Sequence, residues 1–75
     1  MNIDQELDTS GLNCPLPILK AKKVLSTMTS GQTLRVTATD AGSMRDFATF
    51  AKQTGNELLE QQIAGNAFIH TLKRR

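Results

Sequence analysis

The spacing of apolar residues predicts a helix that runs from Pro15 to about Met28. Its apolar positions fall three or four residues apart and therefore share one face: Ile18, Ala21, Leu25 and Met28, with Val24 beside them. Another face is polar and is expected to point outward: Lys20, Lys23 and Thr27. Ser30-Gly31 is expected to end this helix, because glycine readily takes the left-handed conformation of a helix cap.

Strands are predicted where apolar and polar residues alternate instead. The segment TLRVTATD, residues 33–40, is typical of a half-buried strand that ends at Asp40. Its apolar residues share one side of the strand: Leu34, Val36 and Ala38. The short segments ELLEQQI and AFIHTL flank Gly65-Asn66, a pair that favours a hairpin. The segment from Ile3 to Thr9 is expected to add one more short strand.

A second helix is predicted in the segment AGSMRDFATFAKQTG. Its apolar stripe consists of Met44, Phe47, Ala48 and Ala51, with Phe50 at the edge. Ser43 and Asp46 fit a capping box at its start, and Gly55 fits a cap at its end. The element order is then β-α-β-α-β-β. The economical packing is a two-layer α/β (α+β) sandwich, in which both helices cover one face of a mixed four-stranded sheet.

Length and composition indicate a small globular protein. The 75 residues form a single domain, residues 1–75, and the 39% hydrophobic and 21% charged residues argue against disorder. No apolar run approaches the roughly 18 residues of a membrane-spanning helix. The acidic start MNIDQELD does not have the character of a signal or transit peptide. We therefore expect a cytoplasmic protein that does not act at a membrane.

The formal net charge of +2 comes largely from two basic groups, KAKK at residues 20–23 and KRR at residues 73–75. One interpretation is a solvated helix face and a loose tail. The other is a docking surface for an acidic protein or for RNA. Aromatic side chains do not interleave with the basic groups as they do in single-strand binders, so direct nucleic-acid binding is disfavoured.

The single cysteine, Cys14, lies beside the only two prolines, Pro15 and Pro17. One cysteine excludes an internal disulfide and a multi-cysteine metal site, and no metal is expected. If the helix starts at Cys14 or within one residue of it, the prolines fall at the first and third helical positions, whose N–H groups have no intrahelical partner. The N–H groups of Leu16 and Ile18 and the positive end of the helix dipole are then expected to lower the thiol pKa moderately.

The residues alone leave a reactive thiol and a buried, inert thiol as alternatives. The only histidine, His70, falls in the last strand and is expected to be a satisfied or half-exposed side chain rather than a base for Cys14. A cysteine without an apparent base, acid pair or deep pocket favours a carrier of a chemical group over a hydrolase. Lysines of the first helix and Arg45 are candidates to assist the thiol.

The stretches GLNCPLPILKAKKVL and GQTLRVTATDAGSMRDFATFAKQTGNELLEQ resemble the TusA/SirA-like family of small sulfur carriers, from about Leu7 to Leu72. The matching motifs are Cys-Pro-x-Pro and D-x-x-x-x-R-D, here Cys14, Pro15, Leu16 and Pro17, then Asp40, Arg45 and Asp46. The resemblance implies the same two-layer sandwich. It also implies that Cys14 accepts sulfane sulfur as a persulfide, with no separate cofactor. The donor would be a cysteine desulfurase or rhodanese, and the acceptor a protein of the tRNA 2-thiolation relay or of another sulfur-trafficking pathway.

The candidate site follows from this resemblance. Cys14 is its catalytic residue, in a sulfurtransferase-type reaction, and its neighbours shape the site: Pro15, Leu16 and Pro17. Further residues are expected at the site edge or in partner docking: Lys20, Lys22, Lys23, Asp40 and Arg45. Asp46 is assigned first to helix capping. The alternative hypothesis is a non-catalytic regulatory module that binds a partner protein through the basic helix face.

Overall fold

Six elements follow one another in the order β-α-β-α-β-β in the computed structural model, which describes residues 2–75. Met1 of the predicted single domain lies outside the described residues. The elements are β1 (Gln5–Thr9), α1 (Leu16–Ser26), β2 (Thr33–Ala38), α2 (Ser43–Thr54), β3 (Glu57–Ala64) and β4 (Ala67–Lys73). The predicted order of a two-layer sandwich is confirmed, although β1 begins at Gln5 rather than at Ile3.

The four strands form one mixed sheet in the order β1-β2-β4-β3. β1 runs parallel to β2, whereas β4 is antiparallel to both β2 and β3. α1 packs on β1 and β2, and α2 packs on β3 and β4. The two helices therefore lie side by side on the sheet, and the central strands β2 and β4 are covered most completely.

The core lies between the helices and the central strands. Leu34, Val36 and Ala38 of β2 are fully buried, which confirms the predicted alternation. Phe47 and Phe50 meet edge to face, with ring centroids 6.3 Å apart. Burying a side chain of this size stabilises the fold by about 1.5–3 kcal/mol. The contacts between helix and strand therefore hold α1 and α2 at fixed positions above the sheet.

α1 ends at Ser26, before the predicted end near Met28 and the Ser30-Gly31 cap. The hydroxyl groups of Ser26 and Thr27 donate to carbonyl oxygens three residues earlier in the chain, at 2.6 and 2.7 Å. The N–H of Thr27 also turns to the carbonyl three residues earlier, at 3.0 Å. Because these carbonyls are satisfied early, the helix tightens and ends ahead of the glycine.

The start of α2 differs from the predicted capping box. Gly42 is the N-cap, no side chain of residues 2–75 caps the helix, and Ser43 is its first residue. The buried stripe passes through Phe50 instead of Ala48, because Phe50 lies on the side of α2 that faces α1, whereas Ala48 is exposed. The predicted C-terminal cap is confirmed: Gly55 has a left-handed φ of 78° and its N–H donates to Ala51. Within residues 2–75, no helix is long and apolar enough to cross a bilayer.

Candidate functional site

Cys14 lies exposed in the connection between β1 and α1. The N-cap of α1 is Pro15, joined to Cys14 by a cis peptide bond, and Pro17 is the second residue of the helix. Both prolines therefore stand one position earlier in the helix than predicted, and the cysteine lies outside it. The Leu16 N–H donates to the carbonyl of Asn13 at 2.9 Å. One of the two backbone donors expected to serve the thiolate is thus used by the turn.

An open groove brings Cys14 together with the first turn of α1 and one face of α2; we call it the thiol groove. Its walls are Pro15 and Ile18 on the α1 side, and Arg45, Asp46, Thr49, Phe50 and Gln53 on the α2 side. The groove is open to solvent, so a second protein can reach the sulfur atom without rearrangement of the fold. The arrangement places one nucleophile, one cation and one carboxylate within a single depression.

The pKa of the Cys14 thiol is raised above its ordinary value. The largest cause is hydrogen bonding to the Asp46 carboxylate, followed by desolvation and then by the negative charges of Asp46 and Asp40. The predicted lowering of the thiol pKa was wrong, because it counted the helix dipole and Arg45 and assigned Asp46 to capping. In this structure the Asp46 side chain favours the protonated thiol.

The two carboxylates that act on the thiol lie on either side of Gly42. A Cβ atom at Gly42 would lie 3.3 Å from Oδ2 of Asp40 and 3.6 Å from Oδ2 of Asp46. The glycine therefore leaves the space in which both side chains approach the start of α2. The Asp40 carbonyl in turn accepts the N–H of Ser43 at 3.0 Å, which ties the loop to the helix.

The predicted edge residues divide into two groups. Arg45 lines the thiol groove, and the charge of Asp40 acts on Cys14. Lys20, Lys22 and Lys23 are exposed along α1, and none of them lines the thiol groove. Lys22 lines a different groove near the end of α1, together with Arg74 and Arg75.

Sequence reasoning missed the α2 wall of the thiol groove. Its members Asp46, Thr49, Phe50 and Gln53 follow the i, i+3, i+4, i+7 spacing and so share one helix face. That periodicity was visible beside the buried stripe, and Asp46 was already part of the D-x-x-x-x-R-D motif. What the pattern does not contain is the packing of α1 against α2, which turns this face toward Cys14.

His70 is fully buried and does not belong to the thiol groove. Its Nε2 lies 3.1 Å from Oγ of Ser43, and its Nδ1 lies 3.1 Å from Nε2 of Gln61. Burial lowers the pKa of His70 to about 4, so the imidazole is neutral at neutral pH. The prediction of a satisfied histidine is confirmed, and both ring nitrogens are engaged away from Cys14. Among residues 2–75, no three histidine, cysteine, aspartate or glutamate side chains converge to hold a metal ion.

Comparison with known proteins identifies close relatives. A model of the family described as "Sulfurtransferase TusA" matches residues 5–74. The sulfur carrier protein TusA of Allochromatium vinosum is 62% identical over 73 residues, covering 97% of this chain and 96% of the relative. A putative sulfur carrier protein of Neisseria meningitidis serogroup A is 54% identical over 71 residues, covering 95% of this chain and 96% of the relative.

A solved structure shares the fold. The crystal structure of a SirA-like protein from Desulfitobacterium hafniense superimposes with a TM-score of 0.80 and covers 92% of this chain and 95% of that chain. The two sequences are 22% identical, so this similarity concerns the architecture alone.

Proposed function

The chain belongs to the TusA sulfurtransferase family, and on this basis we propose that it is a sulfur carrier that holds sulfane sulfur as a persulfide on Cys14. The observation that carries the proposal is the exposed thiol of Cys14 in a groove open to solvent. A carrier must meet two different proteins at one sulfur atom, so its nucleophile has to be reachable from outside. The sulfur itself is the cargo, and the chain's own residues supply the rest of the site.

Loading is a transfer between two sulfur atoms. The Cys14 thiolate attacks the outer sulfur of a donor persulfide, and a new S–S bond forms as the S–S bond of the donor breaks. The donor cysteine leaves as a thiolate, so there is no net oxidation or reduction. The proton that the Cys14 thiol loses on ionisation passes to the solvent of the open groove, and the departing donor thiolate takes up a proton in turn.

Unloading is the same reaction with Cys14 as the leaving group. A cysteine thiolate of the acceptor protein attacks the outer sulfur, and Cys14 departs as a thiolate that regains its proton. A thiol of higher pKa is a stronger nucleophile once deprotonated but a slower leaving group. Asp46 and Asp40 raise the pKa of Cys14, and so favour retention of sulfur until an acceptor changes the surroundings of the thiol.

The proposed partners are a sulfur donor, a cysteine desulfurase or rhodanese, and an acceptor protein with a reactive cysteine. The proposed pathway is a tRNA 2-thiolation relay or another sulfur-trafficking route. Deletion of the gene should remove 2-thiouridine from tRNA if the first pathway is correct. Unchanged 2-thiouridine would direct the search to other acceptors without affecting the chemistry at Cys14.

The carrier function is tested by loading the protein with sulfur. Incubation with a cysteine desulfurase and cysteine should increase the intact mass by one sulfur atom, and a reductant should remove that increase. Cys14→Ser is the matched control, because it removes the thiol and retains the size of the side chain. An absent mass increase in the wild type, or an equal increase in Cys14→Ser, would contradict the proposal.

A second candidate function, a non-catalytic interaction module, is favoured by the outer face of α1. Leu16 and Leu19 are 45% and 53% exposed, beside exposed lysines. An apolar patch with a positive border fits a partner surface of opposite charge. This function predicts that Cys14→Ala remains active in cells, whereas combined charge reversal of the three lysines abolishes activity; the opposite pattern rejects it. The lysines are Lys20, Lys22 and Lys23.

A further inference from the structure

A hydrogen-bonded cluster around the buried His70 joins the start of α2 to the sheet; we call it the His70 cluster. It consists of the side chains of His70, Ser43 and Gln61 and the carbonyl of Met44. Nε2 of Gln61 lies 2.8 Å from the Met44 carbonyl oxygen and 3.1 Å from Nδ1 of His70. These contacts connect three elements, β3, β4 and α2, at a single point between the helix layer and the sheet.

The hydrogen bonds assign the tautomer of the imidazole. The Gln61 amide has two N–H donors, and one of them points to a carbonyl that can only accept. The second donates to Nδ1 of His70, which is therefore unprotonated. The proton of the neutral ring lies on Nε2 and is donated to Oγ of Ser43. None of the cluster's side chains is charged, so hydrogen bonds between neutral groups hold the cluster together, without an ion pair.

A bulge in β3 brings Gln61 into this cluster. Leu58 pairs with Leu72, but Glu60 pairs with Thr71, so one extra residue interrupts the register. Without it, Gln61 would lie opposite Ile69 on the outer face of the sheet. The bulge shifts Gln61 to the position opposite His70, on the face that α2 covers. The bulge in β3 therefore places the Gln61 amide where it reaches both His70 and the Met44 carbonyl.

The cluster acts on the two residues that begin α2, and these immediately precede the site. Ser43 and Met44 are the first residues of the helix, and Arg45 and Asp46 follow them in the same turn. A helix turn is rigid over this distance, so fixing its first two residues fixes the backbone positions from which the next two side chains extend. Both of those side chains line the groove that contains Cys14.

We propose that His70, Ser43 and Gln61 are positioning residues, whose hydrogen bonds hold the first turn of α2 so that Asp46 lines the thiol groove beside Cys14. They do not touch the reacting sulfur and act through Asp46. The charged groups that face or act on Cys14 are Asp46 and Arg45 from α2 and Asp40 from the preceding loop. The role of this positioning in sulfur transfer rests on the proposed function. Its test uses a thiol reagent, and so its outcome is independent of sulfur transfer.

The experiment measures the rate at which iodoacetamide alkylates Cys14 as a function of pH. Gln61→Ala and Ser43→Ala remove one partner each, and Gln62→Ala is the matched control, an exposed neighbour on the same strand. Both cluster variants should move the midpoint to lower pH, in the same direction as Asp46→Asn but by a smaller amount. The control variant should retain the wild-type midpoint.

A double variant separates positioning from general loosening of the fold. In an Asp46→Asn background, Gln61→Ala should produce no further shift of the midpoint, because the group through which it acts is already neutral. Circular dichroism identifies which variants are folded, and Ser43→Ala provides the test if Gln61→Ala is not. A folded cluster variant with the wild-type midpoint would overturn the proposal. An equal shift with and without the Asp46 charge would also do so.

Discussion

The imidazole of His70 stacks on the ring of Phe47, with centroids 4.4 Å apart and planes inclined by 17°. His70 belongs to a central strand and Phe47 to the helix above it, so the stack is a direct contact between the two layers. Both rings are fully buried. The protonated form of His70 would place a charge in this layer without a counterion among the contacts described above. The stacking contact between the sheet and α2 therefore requires the neutral imidazole of His70.

The first prediction concerns stability as a function of pH. Folding lowers the pKa of His70 from 6.5 to about 4, so between these values the unfolded chain binds more protons than the folded chain. The free energy of unfolding should rise with pH through this window. The contribution of His70 should be fully present above pH 6.5 and lost as pH falls to about 4, with an upper limit of about 3 kcal/mol.

Urea unfolding between pH 4 and 7 checks this prediction, with His70→Gln as the comparison. The variant lacks the titrating group and should show a flatter dependence on pH, although its stability at pH 7 should be lower. Carboxylates such as Asp8, whose pKa is lowered by hydrogen bonds from Ser10, titrate in both proteins and cancel in the difference. Identical slopes in the two proteins would show that His70 is not the titrating group.

The second prediction concerns the nucleophile. Asp46→Asn removes the charged acceptor that favours the protonated thiol, so the pKa of Cys14 should fall toward its ordinary value. The thiolate fraction at pH 7 should increase, and alkylation by iodoacetamide should be faster than in the wild type. At pH values above both thiol pKa values the two rates should converge, with the variant no faster than the wild type. Slower alkylation of Asp46→Asn at pH 7 would show that the carboxylate activates the thiol instead.

The third prediction concerns the end of α2. Gly55 has a φ of 78°, and a Cβ atom there would lie 3.2 Å from Cδ of Arg75. Gly55→Ala should lower the free energy of unfolding by about 1 kcal/mol, because the left-handed conformation is unfavourable for a residue with a Cβ atom. Thermal or urea unfolding measures the loss. Gly55→Asn should recover part of it, since asparagine tolerates this conformation. Full stability of Gly55→Ala would contradict the backbone argument.

The elements of the fold could be predicted from the sequence because periodicity reports burial. β2 alternates strictly, and its apolar residues Leu34 and Val36 are fully buried. The end of α1 could not be predicted from this period, since it depends on competition by the hydroxyls of Ser26 and Thr27 for helix carbonyls. Periodicity describes which face is buried, whereas helix ends are decided by individual hydrogen bonds.

The site could be predicted only in part, for a related reason. Cys14 was recognisable from the residues around it. Asp46 matched a capping position equally well, and its approach to the thiol arises from the packing of one helix beside the other. The pairing of Gln61 with His70 depends on a bulge, which shifts the register without a signal in the alternation of β3. Long-range geometry, rather than local pattern, sets the electrostatics of this thiol.

The fourth prediction separates the two carboxylates that act on Cys14. Asp46 acts by a hydrogen bond and by its charge, whereas Asp40 acts by charge alone. Dissolved salt screens charge at exposed positions but has little effect on a direct hydrogen bond. Increasing ionic strength should therefore lower the thiol pKa of the wild type toward the limit set by the Asp46 hydrogen bond. Asp40→Asn should lower the thiol pKa by less than Asp46→Asn and should reduce its dependence on salt.

The pH dependence of Cys14 alkylation at low and high salt measures both effects. Glu60→Gln is the matched control, because it removes one negative charge from an exposed position on β3, away from the thiol groove. It should leave the midpoint and its salt dependence close to those of the wild type. If Asp40→Asn shifts the midpoint as far as Asp46→Asn does, the hydrogen bond is not the dominant influence. Charge around the start of α2 would then control the thiol.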